Sequence, residues 1–194
     1  MSEVRKSILK ALAEEGAMSA YAVGKKIGAS YSVCHAAMKL LEAEGLIRLK
    51  EVSPSLKGGI TKIYSLTIEG LIEAIIAGWR GEGADRLADL DPMVFGKMGR
   101  IVGAVPRGEV AAALMHAAKK AHGLRGEEAA KAFRESFYTA PFTYAGFSRD
   151  AWINAIKGDG DLKRTVVEIL REVYERELAR LRLIEEAIRV LEAD

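Results

Sequence analysis

One stretch, from Ser30 to Gly45, most constrains what this chain can fold into. Ser30 is a residue type that caps helix N-termini, Gly45 is a type that ends helices, and no helix breaker lies between them. The helical period predicts a buried apolar side made of Val33, Cys34, Ala37, Met38, Leu40 and Leu41. The opposite side carries Ser32, His35, Ala36 and Lys39, flanked by Tyr31 and Glu42. Such a small, polar and cationic surface suits the major groove of DNA.

The residues before this helix predict a helix-turn-helix. A first amphipathic helix is expected within residues 2–16, and Ser19 caps a short second helix that Gly28 ends. Lys25 and Lys26 lie on the outward side of the second helix. Three residues, beginning at Gly28, separate the second helix from the third, which is the spacing found in a helix-turn-helix. A glycine in this turn lets the chain change direction sharply.

After Gly45 the apolar period changes from helical towards two. Residues 46–53 and 60–67 are therefore predicted to be paired strands. The connection between them ends in a Gly58-Gly59 tip, and Lys57 and Lys62 flank that tip. A hairpin of this kind is a wing, and a fourth amphipathic helix follows it.

The order of three helices, a hairpin and a helix resembles the winged helix-turn-helix domain of the PadR and MarR groups of transcriptional regulators. The stretches Ala37–Ile47 and Tyr64–Gly70 carry the resemblance, which covers about residues 3–78. It implies that Ser30–Glu44 is the recognition helix. It also implies that the wing touches neighbouring DNA backbone or the minor groove.

Charge agrees with a DNA-binding surface in this part of the chain. The whole chain has a formal charge of +2, but residues 19–62 hold 7 basic against 3 acidic side chains. We expect side chains of the recognition helix to face base edges, and lysines of the second helix and the wing to neutralise phosphates. The predicted DNA-binding residues are Ser30, Tyr31, Ser32, His35, Lys39, Lys25, Lys26, Lys57, Gly58 and Lys62.

The second part of the chain departs from the resemblance. Three glycines within residues 78–83 predict a boundary between a DNA-binding domain, 1–78, and a helical dimerisation and candidate effector-binding domain, 79–194. A short helix is expected over residues 84–90, and Pro141 is expected to end a later helix. The predicted fold is mostly α, an α+β winged helix-turn-helix followed by an all-α region.

The chain is predicted to end in one long helix, residues 162–193, with Asp161 as its N-cap. A narrow apolar seam on so long a helix needs a partner along its length. The rest of the same domain is one candidate; we favour the same helix of a second subunit, as the family resemblance implies. The predicted dimer interface is Leu170, Tyr174, Leu178, Leu181, Ile184, Ile188 and Leu191.

Aromatic residues are dense between residues 133 and 152. Core packing or a subunit interface explains this density, because aromatic side chains dominate both. The alternative is a pocket for a small apolar or aromatic effector. The candidate pocket residues are Phe133, Phe137, Tyr138, Phe142, Tyr144 and Trp152.

Several other classes of protein are disfavoured. A single cysteine, Cys34, excludes an intrachain disulfide, and its place on the apolar side predicts a buried thiol. The three histidines lack metal-ligand spacing and a nucleophile partner, so we expect no metal, no cofactor and no enzyme activity. Neither a leader nor a membrane span is visible, so a cytoplasmic protein is expected. One Asn and no Gln beside many Arg and Glu suggest a thermophilic source.

Two functions fit these observations. The first is a homodimeric, sequence-specific transcriptional regulator that binds double-stranded DNA and has a candidate ligand response. The alternative is a winged-helix module that binds another protein without sequence-specific DNA binding, because one fold serves many functions. The alternative requires the face of Ser32, His35 and Lys39 to be covered or neutral.

Overall fold

The computed structural model describes residues 1–54, 59–92 and 94–192. The first part contains α1 (Glu3–Glu15), β1 (Met18–Ser19), α2 (Ala20–Ile27), α3 (Tyr31–Ala43), β2 (Ile47–Pro54), β3 (Ile60–Leu66) and α4 (Ile68–Ile76). The second part contains a 3-10 turn (Ala84–Leu87), α5 (Met98–Ala104), α6 (Arg107–Ala121), α7 (Gly126–Thr143), α8 (Arg149–Lys157) and α9 (Gly160–Glu192). The predicted fold class, mostly helical with a winged helix-turn-helix at the start, is confirmed.

The sheet has three antiparallel strands in the order β1-β3-β2. Tyr64 of the central strand pairs with Leu49 on one side and with Met18 on the other. The β1 strand was missed in the sequence because it has two residues, too few to show a period of two. The hairpin contains a bulge directly after Leu49, so the outer part of β2 is shifted by one residue against β3.

The buried apolar residues form one continuous cluster on both sides of the predicted boundary at residue 78. Trp79, at the boundary itself, is buried, and its indole N–H donates to the carbonyl of Glu82 at 2.9 Å. The division into a DNA-binding domain and a helical domain stays a prediction. The short helix expected over residues 84–90 is wrong in type and length, since only the 3-10 turn forms there.

The buried side of α3 is narrower than the sequence predicted. Cys34, Met38 and Leu41 are buried as expected, but Val33 is 47% exposed and Leu40 is 56% exposed. These two residues lie at one edge of the predicted apolar side, where the neighbouring elements do not reach. Burial also raises the pKa of the Cys34 thiol, as a desolvated thiol requires.

Pro141 does not end α7, which runs on to Thr143. Proline removes one backbone donor, and near a helix end that loss is a single hydrogen bond. The hydroxyls of Thr139 and Thr143 donate to the carbonyls of Glu135 and Thr139 in these last turns. Pro141 is itself buried in the core, which favours keeping the turn in place.

The N-cap of α9 is Asp159 and not Asp161. The Asp159 carboxylate accepts from the backbone N–H groups of Asp161 and Leu162, both at 3.0 Å, and from Lys97 Nζ at 2.9 Å. Asp161 lies inside the first turn and pairs with Arg164. The amide of Leu162 and the ammonium of Lys97 hold the pKa of Asp159 at about 2.

Candidate nucleic-acid interface

The turn between α2 and α3 is held by local hydrogen bonds and by one close approach. Ser30 Oγ accepts from the N–H of Val33 at 3.4 Å and so caps α3. Gly28 has φ +71, the left-handed conformation that lets α2 end and the chain turn. A Cβ on Gly24 would lie 2.9 Å from the carbonyl oxygen of Ala29. The absent side chain at Gly24 therefore sets how closely α2 approaches the turn.

The far end of α3 is fixed by residues of the Tyr64–Gly70 stretch. Thr67 Oγ1 donates to the carbonyl of Gly45 at 2.7 Å and accepts from the N–H of Gly70 at 3.1 Å. The N–H of Thr67 donates to the carbonyl of Leu46 at 3.1 Å. A Cβ on Gly70 would lie 1.8 Å from that same carbonyl oxygen. This part of the sequence pattern thus has a structural role: it holds the segment that follows α3 against the start of α4.

Among the residues that the structure describes, none covers the outward surface of α3. Ser32, Ala36 and Lys39 are exposed, and they follow one another along the helix at spacings of four and three. His35 is half-buried, and its ring stacks on the ring of Tyr31 with centroids 5.5 Å apart. Tyr31 itself is 57% exposed. The helix offers hydroxyl, imidazole and ammonium groups to a partner that enters from outside.

The predicted lysines differ in whether their charge is paired with a carboxylate of the same chain. Lys25, Lys39 and Lys62 are exposed and form no ion pair with the other residues that the structure describes. Lys26 bonds to the carboxylates of Glu15 at 2.6 Å and Glu14 at 3.3 Å, and these contacts raise its pKa. Lys26 is therefore already neutralised within the chain. The predicted wing residues Lys57 and Gly58 lie outside the described residues.

One exposed aromatic residue near this surface was missed in the sequence. Tyr21, in the first turn of α2, is 70% exposed and lies four residues before Lys25, so the two side chains share a face. A phenol O–H can donate to a phosphate oxygen. The sequence does contain a signal for this exposure: the helical period places Tyr21 off the buried apolar side that Ala20 and Val23 form.

The last helix has two sides. Leu162 and Val166 are buried against the chain's own core, and Arg176 pairs with the carboxylate of Glu135 through two contacts at 3.0 and 3.1 Å. Leu170 and Leu178 are half-buried. The other predicted interface residues are exposed, with values of 66% for Tyr174, 55% for Leu181, 47% for Ile184, 48% for Ile188 and 77% for Leu191.

Most of the candidate effector-pocket residues lie in the core. Phe133, Phe137, Tyr138 and Trp152 are fully buried, and Phe137 packs edge-to-face against both Tyr138 and Trp152. Of the remaining two residues, Phe142 is half-buried, and Tyr144 is partly exposed and stacks on His116 with ring centroids 4.0 Å apart.

A cavity of about 750 Å³ lies elsewhere, between the segment that follows α4, helix α5 and the start of α6. Its lining includes the apolar residues Met98, Val102 and Val110 and the charged residue Arg107. Within the described ranges, no group of His, Cys, Asp and Glu side chains is placed to hold a metal ion. No helix in the same ranges is both long and apolar enough to cross a bilayer.

Comparisons with known proteins agree with this geometry for the first part of the chain. Residues 1–48 match the family described as winged helix-turn-helix DNA-binding. The predicted resemblance to a winged helix-turn-helix domain is therefore confirmed for residues 1–48. No curated protein matches the chain.

Among solved structures, the PcaV transcriptional regulator from Streptomyces coelicolor, in complex with its natural ligand, is 23% identical. The match covers 53% of this chain and 74% of that one, with a TM-score of 0.35. A MarR family regulator from Neisseria meningitidis is 19% identical over 53% of this chain and 75% of its own, also with a TM-score of 0.35. Bacillus subtilis PadR in complex with operator DNA is 15% identical over 87% of this chain and 97% of its own, with a TM-score of 0.33.

Proposed function

We propose that this protein is a sequence-specific transcriptional regulator that binds double-stranded DNA as a homodimer. The observation that carries the proposal is the uncovered face of α3, with exposed Ser32 and Lys39, within a domain that matches winged helix-turn-helix DNA-binding proteins. Lys25 and Lys62 on the neighbouring elements are exposed and have no ion-pair partner within the described ranges, so they add the positive charge that a phosphate backbone attracts.

In this proposal α3 enters the major groove. The first turn of α3, capped by Ser30, approaches a phosphate through its backbone N–H groups, while Ser32, His35 and Lys39 face base edges. Lys25 and Lys62 contact phosphates and do not read sequence. Lys57 and Gly58 of the wing belong to the same set.

The DNA test compares lysine variants on a site selected from genomic DNA with the purified protein. Lys39→Ala is expected to lose specific binding, whereas Lys25→Ala is expected to weaken binding to all sequences and to lower the salt slope by about 0.9. Lys26→Ala is expected to change less than Lys25→Ala, because Glu14 and Glu15 already neutralise Lys26.

Lys120→Ala, on α6, is the charge-matched control, since Lys120 is exposed and lies in the helical part of the chain. It is expected to bind as the wild type does. Failure to select any sequence, with no salt-dependent affinity for DNA, would refute the proposed function. Equal losses in all four variants would point to net charge and not to the α3 face.

The homodimer is proposed on the exposed side of α9. This helix has 33 residues, about 50 Å at 1.5 Å per residue, and contacts α7 and α8 through its first half, as far as Arg176. Beyond Arg176, Leu181, Ile184 and Ile188 recur at spacings of three and four with about half of each side chain exposed. A second copy of α9 would bury this seam, and two-fold symmetry would set two copies of α3 about one DNA turn apart.

The dimer test uses two substitutions on the same helix. Leu181→Glu places a charge within the seam and is expected to give monomers by light scattering, with a large loss of affinity for a two-half-site DNA. Leu183→Glu is the matched control, because Leu183 is 67% exposed and lies on the opposite side of α9. If the dimer persists in Leu181→Glu, or is lost equally in both variants, the seam is not the dimer interface.

A ligand response is the last part of the proposal. We place the small apolar or aromatic effector in the cavity lined by Met98 and Val102, because the aromatic cluster around Phe137 is closed by its own packing. The test is titration with anilinonaphthalene sulfonate, an aromatic anion that fluoresces in apolar sites. Saturable fluorescence in the wild type, lost in the cavity-filling Val102→Trp variant, is expected; equal signals in both would exclude this cavity.

A further inference from the structure

Three apolar side chains form a row on the outward surface of α3: Val33, Ala36 and Leu40, hereafter the apolar row. Val33 is 47% exposed, Leu40 is 56% exposed, and Ala36 is also exposed. Spacings of three and four residues make them neighbours along one side of the helix. The described part of the chain leaves this row exposed to solvent.

The apolar row lies beside the polar row of Ser32 and Lys39 on the same outward surface. A partner that covers one row must therefore also meet a hydroxyl and an unpaired ammonium. This combination disfavours a purely apolar protein surface, because the Lys39 charge would be buried without a counter-charge. It suits a partner that is anionic and also presents small apolar groups.

The major groove of DNA is such a partner. Its floor presents hydrogen-bonding base edges, its walls are phosphates, and its one apolar group is the C5 methyl of thymine. Side chains of alanine and other small apolar residues contact that methyl directly. Ala36 has the further effect of leaving room for the helix backbone to approach the groove.

We infer that the apolar row reads thymine methyl groups, so that the recognition of each half-site depends on thymines beneath Val33, Ala36 and Leu40. The inference rests on the proposed function and extends it from base-edge hydrogen bonding to a stated base. Ser32 and Lys39 then form hydrogen bonds with base edges, and the apolar row contacts the thymine methyl groups. Cytosine and uracil cannot make these contacts because they lack the C5 methyl group.

The test replaces thymines of the selected site, one at a time, with deoxyuridine, which lacks only the methyl group. Burial of one methyl predicts about a four-fold rise in Kd for wild-type protein at each contacted thymine. Val33→Ala and Leu40→Ala are expected to bind the thymine site more weakly and to bind thymine and deoxyuridine sites almost equally. Both residues are exposed, so thermal melting should stay close to that of the wild type.

Val190→Ala is the matched control, because Val190 is an exposed valine, at 62%, on α9 and outside the proposed DNA contact. It should keep the full preference of the wild type for thymine over deoxyuridine. Specific binding with no thymine preference in the wild type, or a preference unchanged by both α3 variants, would overturn the inference alone. Failure to select any DNA would overturn the proposed function and this inference with it.

Discussion

The close contact between Gly70 and Leu46 can be tested by adding a single methyl group at Gly70. Gly70 lies in the first turn of α4, and a Cβ added there would sit 1.8 Å from the carbonyl oxygen of Leu46 and 2.8 Å from its carbonyl carbon. Both atoms belong to the backbone that leaves α3. The substitution Gly70→Ala therefore cannot be accommodated by a side-chain rotation.

The magnitude follows from opposing effects. Alanine in a helix is favoured over glycine by about 1 kcal/mol. Against this, the Cβ must move from 1.8 Å to beyond 3.0 Å, and overpacking of this kind costs about 1–3 kcal/mol. The shift also disturbs the hydrogen bonds from Thr67 to the carbonyls of Leu46 and Gly45, each worth about 1 kcal/mol. We expect Gly70→Ala to lower the free energy of unfolding by about 2–4 kcal/mol.

The assay is urea unfolding followed by circular dichroism, with Gly103→Ala as the control. Gly103 lies within α5, has no atom within 4 Å of an added Cβ, and does not need a positive φ. The same glycine-to-alanine change should therefore stabilise the protein by up to about 1 kcal/mol there. A Gly70→Ala protein that unfolds at the same urea concentration as Gly103→Ala would refute the reasoning.

Two further predictions concern the polar contacts of the helical region. Burial alone would raise the pKa of Glu109, but hydrogen bonds from Ser148 and from the Trp152 indole outweigh burial and lower this pKa. Glu109→Ala should therefore lower the free energy of unfolding by about 1–3 kcal/mol, because the buried indole N–H of Trp152 loses its acceptor. An unchanged midpoint in urea unfolding would count against this network. Asp159 has a folded-state pKa of about 2, below the ordinary value of 3.8, so its contribution is complete above the unfolded-state pKa and is lost as the pH falls through about 2. The stability difference between wild type and Asp159→Asn should shrink as the pH is lowered from about 5 to 2, and a constant difference would show that the contacts with Lys97 and the helix amides do not favour the charged carboxylate.

Several local features of the first part of the chain could be predicted from short-range chemistry. The side chains of Ser19 and Ser30 each accept a hydrogen bond from a backbone N–H three residues later, as expected of the N-caps predicted from the sequence. Such contacts depend on neighbours in the chain, so they can be predicted without knowledge of what packs against the helix. The change of period after Gly45 likewise located the hairpin.

The tertiary structure alone decided which surfaces are free. The apolar residues of α3 cover a wide arc, and only the packed neighbours determine that Cys34 and Leu41 are buried while Val33 and Leu40 meet water. The same holds for charge, because Lys26 has partners on α1 that lie eleven and twelve residues away in sequence. A helical period states which residues share a side; it does not state what lies opposite, because that depends on contacts between segments distant in the chain.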